Sequence, residues 1–168
     1  NTISLLGDSS IGIYGANETL IKNTGKIETG NNGIGIYGTN LLTALAPTYG
    51  SQKIEIENSG EIKTAGMAGG IGIYSNNSNI AVAQSDAKVI LGNTSKIDTT
   101  SSVNGVGVYG KRTTISGNGI ISVGKDGIGM HLDESNVNLS NVIVNLTGDN
   151  SLGFNLTNGT TFSGTGTF

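Results

Sequence analysis

The sequence predicts an all-β protein, a parallel β-helix (β-solenoid) of about six coils of about 23 residues with two insertions. The first observation is a hexapeptide, Gly33-Ile34-Gly35-Ile36-Tyr37-Gly38, which returns five more times in similar or degenerate form. The second is its spacing, since the central glycines are 23, 37, 35, 22 and 24 residues apart, at Gly12, Gly35, Gly72, Gly107, Gly129 and Gly153. The third is composition: 28 glycines, one proline and short β-branched alternations favour short strands joined by tight turns.

The first complete repeat illustrates how each coil is built from three short strands. Residues 11–14 alternate and form the first strand, after which Gly15 and Asn17 allow a turn. Residues 19–22 alternate again as a second strand, and residues 23–25 turn the chain once more. Residues 26–29 form the third strand, and Gly30 begins the return to the next hexapeptide. Three strands and three turns predict a triangular coil.

We expect equivalent residues of successive repeats to lie directly above one another. Ile62, Ile97 and Ile121 occupy the place of Ile27, and we expect Ile56, Leu91 and Ile115 to occupy the place of Ile21. The register of residues 137–146 is fixed only to within one residue, although their apolar residues alternate. Two inward columns are predicted from the hexapeptides: Ile11, Ile34, Ile71, Val106, Ile128 and Leu152, and Ile13, Ile36, Ile73, Val108, Met130 and Phe154.

Two insertions account for the long steps between repeats, and they are expected at residues 39–52 and 75–87 of a single solenoid segment spanning residues 1–168. Both leave the coil at the same corner, so they are expected to lie side by side. Loops on a rigid scaffold often carry recognition. Leu41, Leu42, Leu45 and Tyr49 are candidate partner-binding residues, because a simple spacer would be polar. The alternative is a small lid folded onto the coil.

A row of aromatic residues is the second candidate binding site. Tyr14, Tyr37, Tyr74 and Tyr109 recur at one position of the repeat, and His131 and Asn155 continue the row. If the isoleucines face inward, this row and the neighbouring glycines face outward. Tyrosine rings beside a bare glycine strip would stack on sugars or dock a partner. The alternative is an aromatic ladder that only stabilises the sheet, and the reverse arrangement, with isoleucine outside, is disfavoured because it buries hydroxyl groups.

Other functional classes have little support in the sequence. A net charge of −3 gives no basic surface for nucleic acid. With one histidine and no cysteine a zinc site is not expected, and the scattered acidic residues indicate neither a calcium ladder nor a catalytic carboxylate pair. Gly33, Gly35 and Gly38 match a dinucleotide fingerprint, but no helix follows to receive a phosphate. No catalytic residue, metal or cofactor is therefore expected, and Lys111 and Arg112 are expected to pair with Asp126 or Asp133 at the surface.

The repeat resembles the passenger region of monomeric type V autotransporters, and it is most similar to the large outer-membrane adhesins of fusobacterial type. The resemblance rests on the hexapeptide, on the spacer at residues 23–30 (NTGKIETG) and on its echo at residues 58–65 (NSGEIKTA). It implies a right-handed parallel β-helix, exported through an outer-membrane barrel and displayed on the cell surface as part of a longer protein.

The implied function is attachment to a host or bacterial surface receptor, either glycan or protein. Two alternatives remain at this stage. One is a passive stalk that projects another binding domain, and the other is a polysaccharide-degrading enzyme on the same fold. The enzyme would need clustered Asp and Glu in a groove, and near the insertions the sequence offers only Asp86.

Overall fold

The computed structural model describes residues 1–40, 53–78 and 86–167, and these residues form sixteen β-strands and no α-helix. The hexapeptides begin six of the strands: β2 (Ile11–Ala16), β5 (Ile34–Asn40), β8 (Ile71–Asn77), β11 (Val106–Lys111), β13 (Ile128–Asp133) and β15 (Leu152–Thr157). The others are β1 (Thr2–Leu5), β3 (Thr19–Asn23), β4 (Lys26–Thr29), β6 (Ile54–Asn58), β7 (Glu61–Thr64), β9 (Ala87–Leu91), β10 (Lys96–Thr99), β12 (Thr114–Val123), β14 (Asn136–Leu146) and β16 (Thr161–Thr167).

Every strand pairing in the described part of the chain is parallel, and the strands form two sheets. The six hexapeptide strands make one sheet in the order β15-β13-β11-β8-β5-β2. The other ten make a strongly curled sheet, because the long strand β12 pairs with β9 through residues 114–117 and with β10 through residues 120–123. Each strand therefore lies on its counterpart in the neighbouring repeat, which confirms an all-β, parallel architecture and is consistent with a parallel β-solenoid.

The core is built of aliphatic columns that run from repeat to repeat. Ile27, Ile62, Ile97 and Ile121 pair in register as expected, and each is at most 1% exposed. The column that contains Ile21 differs at one place from the expectation. Val89, and not Leu91, pairs with Ile56 and Ile115, while Leu91 pairs with Asn58 and Gly117. The difference is two residues, because the turn between β9 and β10 (residues 92–95) is two residues longer than the turn between β6 and β7 (residues 59–60). Both Val89 and Leu91 are buried.

The hexapeptide strand does not alternate as the sequence predicts. Ile36, Ile73, Val108 and Met130 are buried in the core, and their equivalents Ile13 and Phe154 are partly buried against it. Ile34, by contrast, is only half-buried, and Gly35 is buried. The ladder pairs Ile34 with Ile71 and Ile36 with Ile73 and skips the glycines between them. A Cβ on Gly35 would overlap the side chain of Ile62, so the glycine faces inward and leaves room for that isoleucine.

Two expectations are therefore wrong. The column of Ile11, Ile34, Ile71, Val106, Ile128 and Leu152 does not face the core, and the six central glycines do not form an outward strip. The physical reason is that two consecutive residues, glycine and then isoleucine, both turn inward. A strict period of two cannot represent this irregularity.

A turn residue three positions before each central glycine has a left-handed backbone in all six repeats. Its φ lies between 51° and 60° at Ser9, Asn32, Gly69, Asn104, Asp126 and Asn150. These are residue types that tolerate this conformation, because a short polar side chain or no side chain lowers its cost. The row of turns sets the corner at which the chain enters the six-stranded sheet.

The register of residues 137–146, which the sequence leaves open, is set by a bulge. Val137 pairs with Ile115 and Val144 pairs with Ile121, and the register shifts between them. Asn141 has a φ of 60° at this irregularity. The extra residue explains why the buried residues Leu139 and Val142 are three positions apart.

Candidate functional site

The aromatic row predicted from the sequence forms a continuous stack on the outer side of the six-stranded sheet. Ring centroids are 5.4 Å apart between Tyr14 and Tyr37, 4.7 Å between Tyr37 and Tyr74, and 4.6 Å between Tyr74 and Tyr109. The last two pairs are almost parallel, with interplanar angles of 8° and 6°. The strand register produces this stack, since it places each tyrosine beside its equivalent in the next repeat.

Stacking determines which part of each tyrosine meets the solvent. Both faces of the Tyr37 and Tyr74 rings lie against neighbouring rings, so these residues present ring edges and hydroxyl groups outward. Tyr14, which stacks on one side, is 56% exposed. The pKa values of Tyr37, Tyr74 and Tyr109 lie above the ordinary value for a tyrosine, mainly because the side chains are partly buried. The phenols of these three tyrosines are therefore neutral at physiological pH.

His131 continues the stack in the fifth repeat, as the sequence predicts. Its ring lies 5.3 Å from that of Tyr109 and at 24° to it. The next residue of the row, Asn155, places its amide nitrogen 3.3 Å from Nδ1 of His131. The row therefore changes from aromatic stacking to a hydrogen bond after His131.

An aliphatic row runs parallel to the aromatic row on the same outer face. Its members, Ile11, Ile34, Ile71, Val106, Ile128 and Leu152, lie three residues before the members of the aromatic row, and Ile11 and Leu152 are 41% and 47% exposed. Strict alternation along the strand places these residues in the core, so the sequence does not predict this surface. Only the incomplete fit of the hexapeptide to a period of two could have indicated it.

The outer face of the six-stranded sheet, defined here as the aliphatic and aromatic rows, carries almost no charge. Lys111 and Asp133, at the ends of their strands, are the only residues of the six strands that carry a formal charge at pH 7. The ten-stranded sheet differs, because Glu61 pairs across strands with Lys26 and Lys96. Opposite charges that face each other on neighbouring strands stabilise a sheet. The charged side chains are therefore concentrated on the ten-stranded sheet, away from the outer face.

A small polar patch borders the aromatic row. Lys111 Nζ lies 3.5 Å from a carboxylate oxygen of Asp133, as one of the expected pairings requires, whereas Arg112 pairs with Glu134, also at 3.5 Å. A hydrogen bond donated by Asn158 is the largest of the effects that lower the pKa of Asp133, and Thr157 and Lys111 add to it. The patch is a surface network that joins neighbouring repeats.

The insertions leave the sheet at adjacent points. β5 ends at Asn40 and β8 at Asn77, which are paired across the ladder, and the hydroxyl of Ser78 donates to the carbonyl oxygen of Asn40 at 2.9 Å. In the repeats without an insertion the equivalent turn is left-handed, at Asn17, Arg112, Glu134 and Asn158. The candidate residues Leu41, Leu42, Leu45 and Tyr49 lie outside the described residues, so their role stays a prediction.

Within residues 1–40, 53–78 and 86–167, no group of three His, Cys, Asp or Glu side chains is close enough to hold a metal ion. The same residues contain no helix long and apolar enough to cross a membrane. The candidate site is the outer face of the six-stranded sheet, with its aliphatic and aromatic rows. Comparison with known protein families, with characterised proteins and with solved structures finds no match to this chain.

Proposed function

We propose that the chain is a cell-surface adhesin passenger segment that mediates attachment to a receptor on host or bacterial cells. In this proposal the sheets close into a right-handed parallel β-helix of about six coils of about 23 residues, displayed outside the outer membrane as a rigid rod. The outer face of the six-stranded sheet is the observation that carries the proposal. Contiguous apolar groups on a rigid surface mark interaction sites, and here a half-buried or exposed aliphatic residue recurs in every repeat.

The geometry of the aromatic stack also limits how a partner could contact this face. A sugar ring binds an aromatic residue through the ring face, and in this row the faces between Tyr14 and His131 are occupied by neighbouring rings. A partner would instead rest flat across the aliphatic row and the tyrosine hydroxyls. The low charge of this face favours an uncharged contact surface on the partner. The insertions, which leave the sheet beside this face, would add contacts.

The experiment is adhesion of cells that display the protein, with the surface level of each variant measured in parallel. One variant carries Ile71→Thr and Val106→Thr, which keep β-branched residues and remove half-buried apolar groups of the outer face. A second variant shortens both insertions to the basic turn length. We expect the first variant to lower adhesion at unchanged display, and loss in the second variant alone would place recognition on the insertions.

A passive stalk is the second candidate, and the aromatic stack favours it because stacking between equivalent residues also rigidifies a rod without any ligand. Unchanged adhesion in both variants would support the stalk. A polysaccharide-degrading activity is the third reading. Incubation with polysaccharides tests it, since chain cleavage that follows the protein through purification would replace the adhesin proposal.

A further inference from the structure

The tyrosine stack has a chemical property that contact with a partner does not use. The chain contains no cysteine and no tryptophan, so the five tyrosines are its most easily oxidised aromatic groups. Of the two methionines, Met130 is fully buried and Met67 is 80% exposed. A one-electron oxidant that meets this surface therefore has the stacked phenols as its main aromatic target.

We propose that the stack of Tyr37, Tyr74 and Tyr109 is an oxidative cross-linking site, at which two neighbouring tyrosines are joined into dityrosine by a haem peroxidase that uses hydrogen peroxide. The two close pairs have ring centroids 4.7 Å and 4.6 Å apart and nearly parallel planes. Each phenol thus has its coupling partner in van der Waals contact before oxidation begins.

The reaction balances within the named reactants. Each of two tyrosines loses one electron and its phenolic proton, which gives two phenoxyl radicals with spin density on the ring carbons next to the oxygen. Two of these carbons form one carbon–carbon bond. The hydrogen on each joined carbon then leaves as a proton while the ring oxygen regains one, which restores both phenols. Hydrogen peroxide accepts the two electrons and two protons and becomes two molecules of water.

The fold supplies what the coupling step requires. Parallel pairing holds Tyr37 opposite Tyr74 and Tyr74 opposite Tyr109, so encounter of the two radicals needs no diffusion of the chain. The stacked rings must turn from face-to-face to edge-to-edge as the bond forms. Their position on the outer face, only partly buried, leaves space on the solvent side for this rotation.

The product would covalently join neighbouring repeats of the rod. A bond from Tyr74 to Tyr109 closes a loop of 35 residues, from the difference of the two positions. Cross-links that close loops restrict the unfolded chain more than the folded one. Oxidation is therefore expected to raise the temperature of unfolding of the repeats that it links, and with it the mechanical strength of the segment.

The test treats the purified chain, at high dilution, with a haem peroxidase and hydrogen peroxide. All variants carry Met67→Leu, which removes the exposed thioether that peroxide oxidises directly. Dityrosine fluorescence, intact mass and peptide mapping are the readouts. Tyr74→Phe removes both close pairs, and the matched control Tyr14→Phe removes a ring that stacks at the longer distance of 5.4 Å. Circular dichroism verifies that both variants fold.

We expect a monomeric product lighter by two hydrogen atoms, with the cross-link mapped to Tyr74 and either Tyr37 or Tyr109. Tyr74→Phe is expected to lower the yield severalfold, whereas Tyr14→Phe retains most of it. Three results would overturn the proposal: absence of dityrosine, cross-links only between molecules, or equal yields from the two variants. If Tyr74→Phe fails to fold, peptide mapping of the chain that keeps all its tyrosines still shows whether the cross-link joins neighbouring tyrosines of the stack.

Discussion

Single glycines show how closely the repeats of this protein are packed. A Cβ placed on Gly72 would overlap Cγ2 of Ile97 and lie 2.6 Å from the carbonyl oxygen of Gly107, so neither a side chain nor the backbone leaves space. The same relation holds for Gly12, Gly35, Gly107 and Gly129, each of which faces a core residue of the third strand. Glycine recurs here because no space is left for a side chain, and not because the backbone adopts a conformation that favours glycine.

Alanine at position 72 is therefore expected to be strongly destabilising. Gly72→Ala should lower the free energy of unfolding by roughly 2–3 kcal/mol, because the added methyl group must displace Ile97 or the neighbouring strand. The matched control is Gly153→Ala, since no atom lies within 4 Å of the added Cβ at that position. Urea denaturation of both variants measures the difference. Equal stabilities would mean that the glycine row does not face the core.

Asp133 provides a test of the polar patch through pH. Its folded-state pKa is lowered, first by the hydrogen bond from Asn158, so the contribution of its carboxylate is present above the unfolded pKa and is lost as the pH falls through the folded value. Asp133→Asn should cost at most about 1 kcal/mol at neutral pH, as is usual for surface interactions. The difference in unfolding free energy from the parent should shrink as the pH falls below about 4. A difference independent of pH would contradict this assignment.

At the scale of the element, the turn before each hexapeptide strand depends on its left-handed residue. Asn104 has a φ of 59°, is exposed, and donates its backbone N–H to Lys125 in the next repeat. Asn104→Val should cost about 1–2 kcal/mol, because the short polar side chain of asparagine tolerates this region, whereas a β-branched side chain is strained there. Asn104→Gly keeps the turn and is the control. Thermal unfolding of the two variants compares them, and equal midpoints would show that the turn tolerates other conformations.

The sequence predicted the strands because equivalent residues recur at a constant spacing, and it failed where that spacing is interrupted. Ile27, Ile62, Ile97 and Ile121 lie in uninterrupted segments and were aligned correctly. Leu91 is followed by a turn of four residues where the preceding repeats have two, so the constant spacing places it in the column that Val89 occupies. The inward turn of Gly35 was not predictable from alternation, because glycine has no side chain whose polarity would indicate a direction.

The same reasoning explains how much of the candidate site was foreseen. The tyrosine row was predicted because one residue type recurs at one position, and its stacking follows from the register. The aliphatic row was assigned to the core, since isoleucine is usually buried. Its true position depends on the glycine that follows it. Hydrophobicity alone cannot distinguish two isoleucines two residues apart when both faces of a strand carry apolar residues.

At the scale of the whole molecule, a repeat architecture makes each repeat removable in principle, because each one contacts only its neighbours. Val106 and Ile128 are paired across adjacent strands, so deletion of residues 107–128 joins Val106 to Gly129 and removes one complete repeat. We expect this shortened chain to keep the circular dichroism of a β protein and to unfold cooperatively. Its temperature of unfolding should be lower, since one interface between repeats is lost.

The control deletes residues 107–127, which retains one more residue and places Ile128 directly after Val106. This shift of one residue moves every following side chain of the strand to the opposite face, so that core residues such as Met130 would turn outward. The two deletions differ by a single residue in length, and yet only the first preserves the register. If both chains fold equally well, the stacking of equivalent residues does not hold this molecule together. If only the first folds, the register between repeats is the property that the sequence specifies.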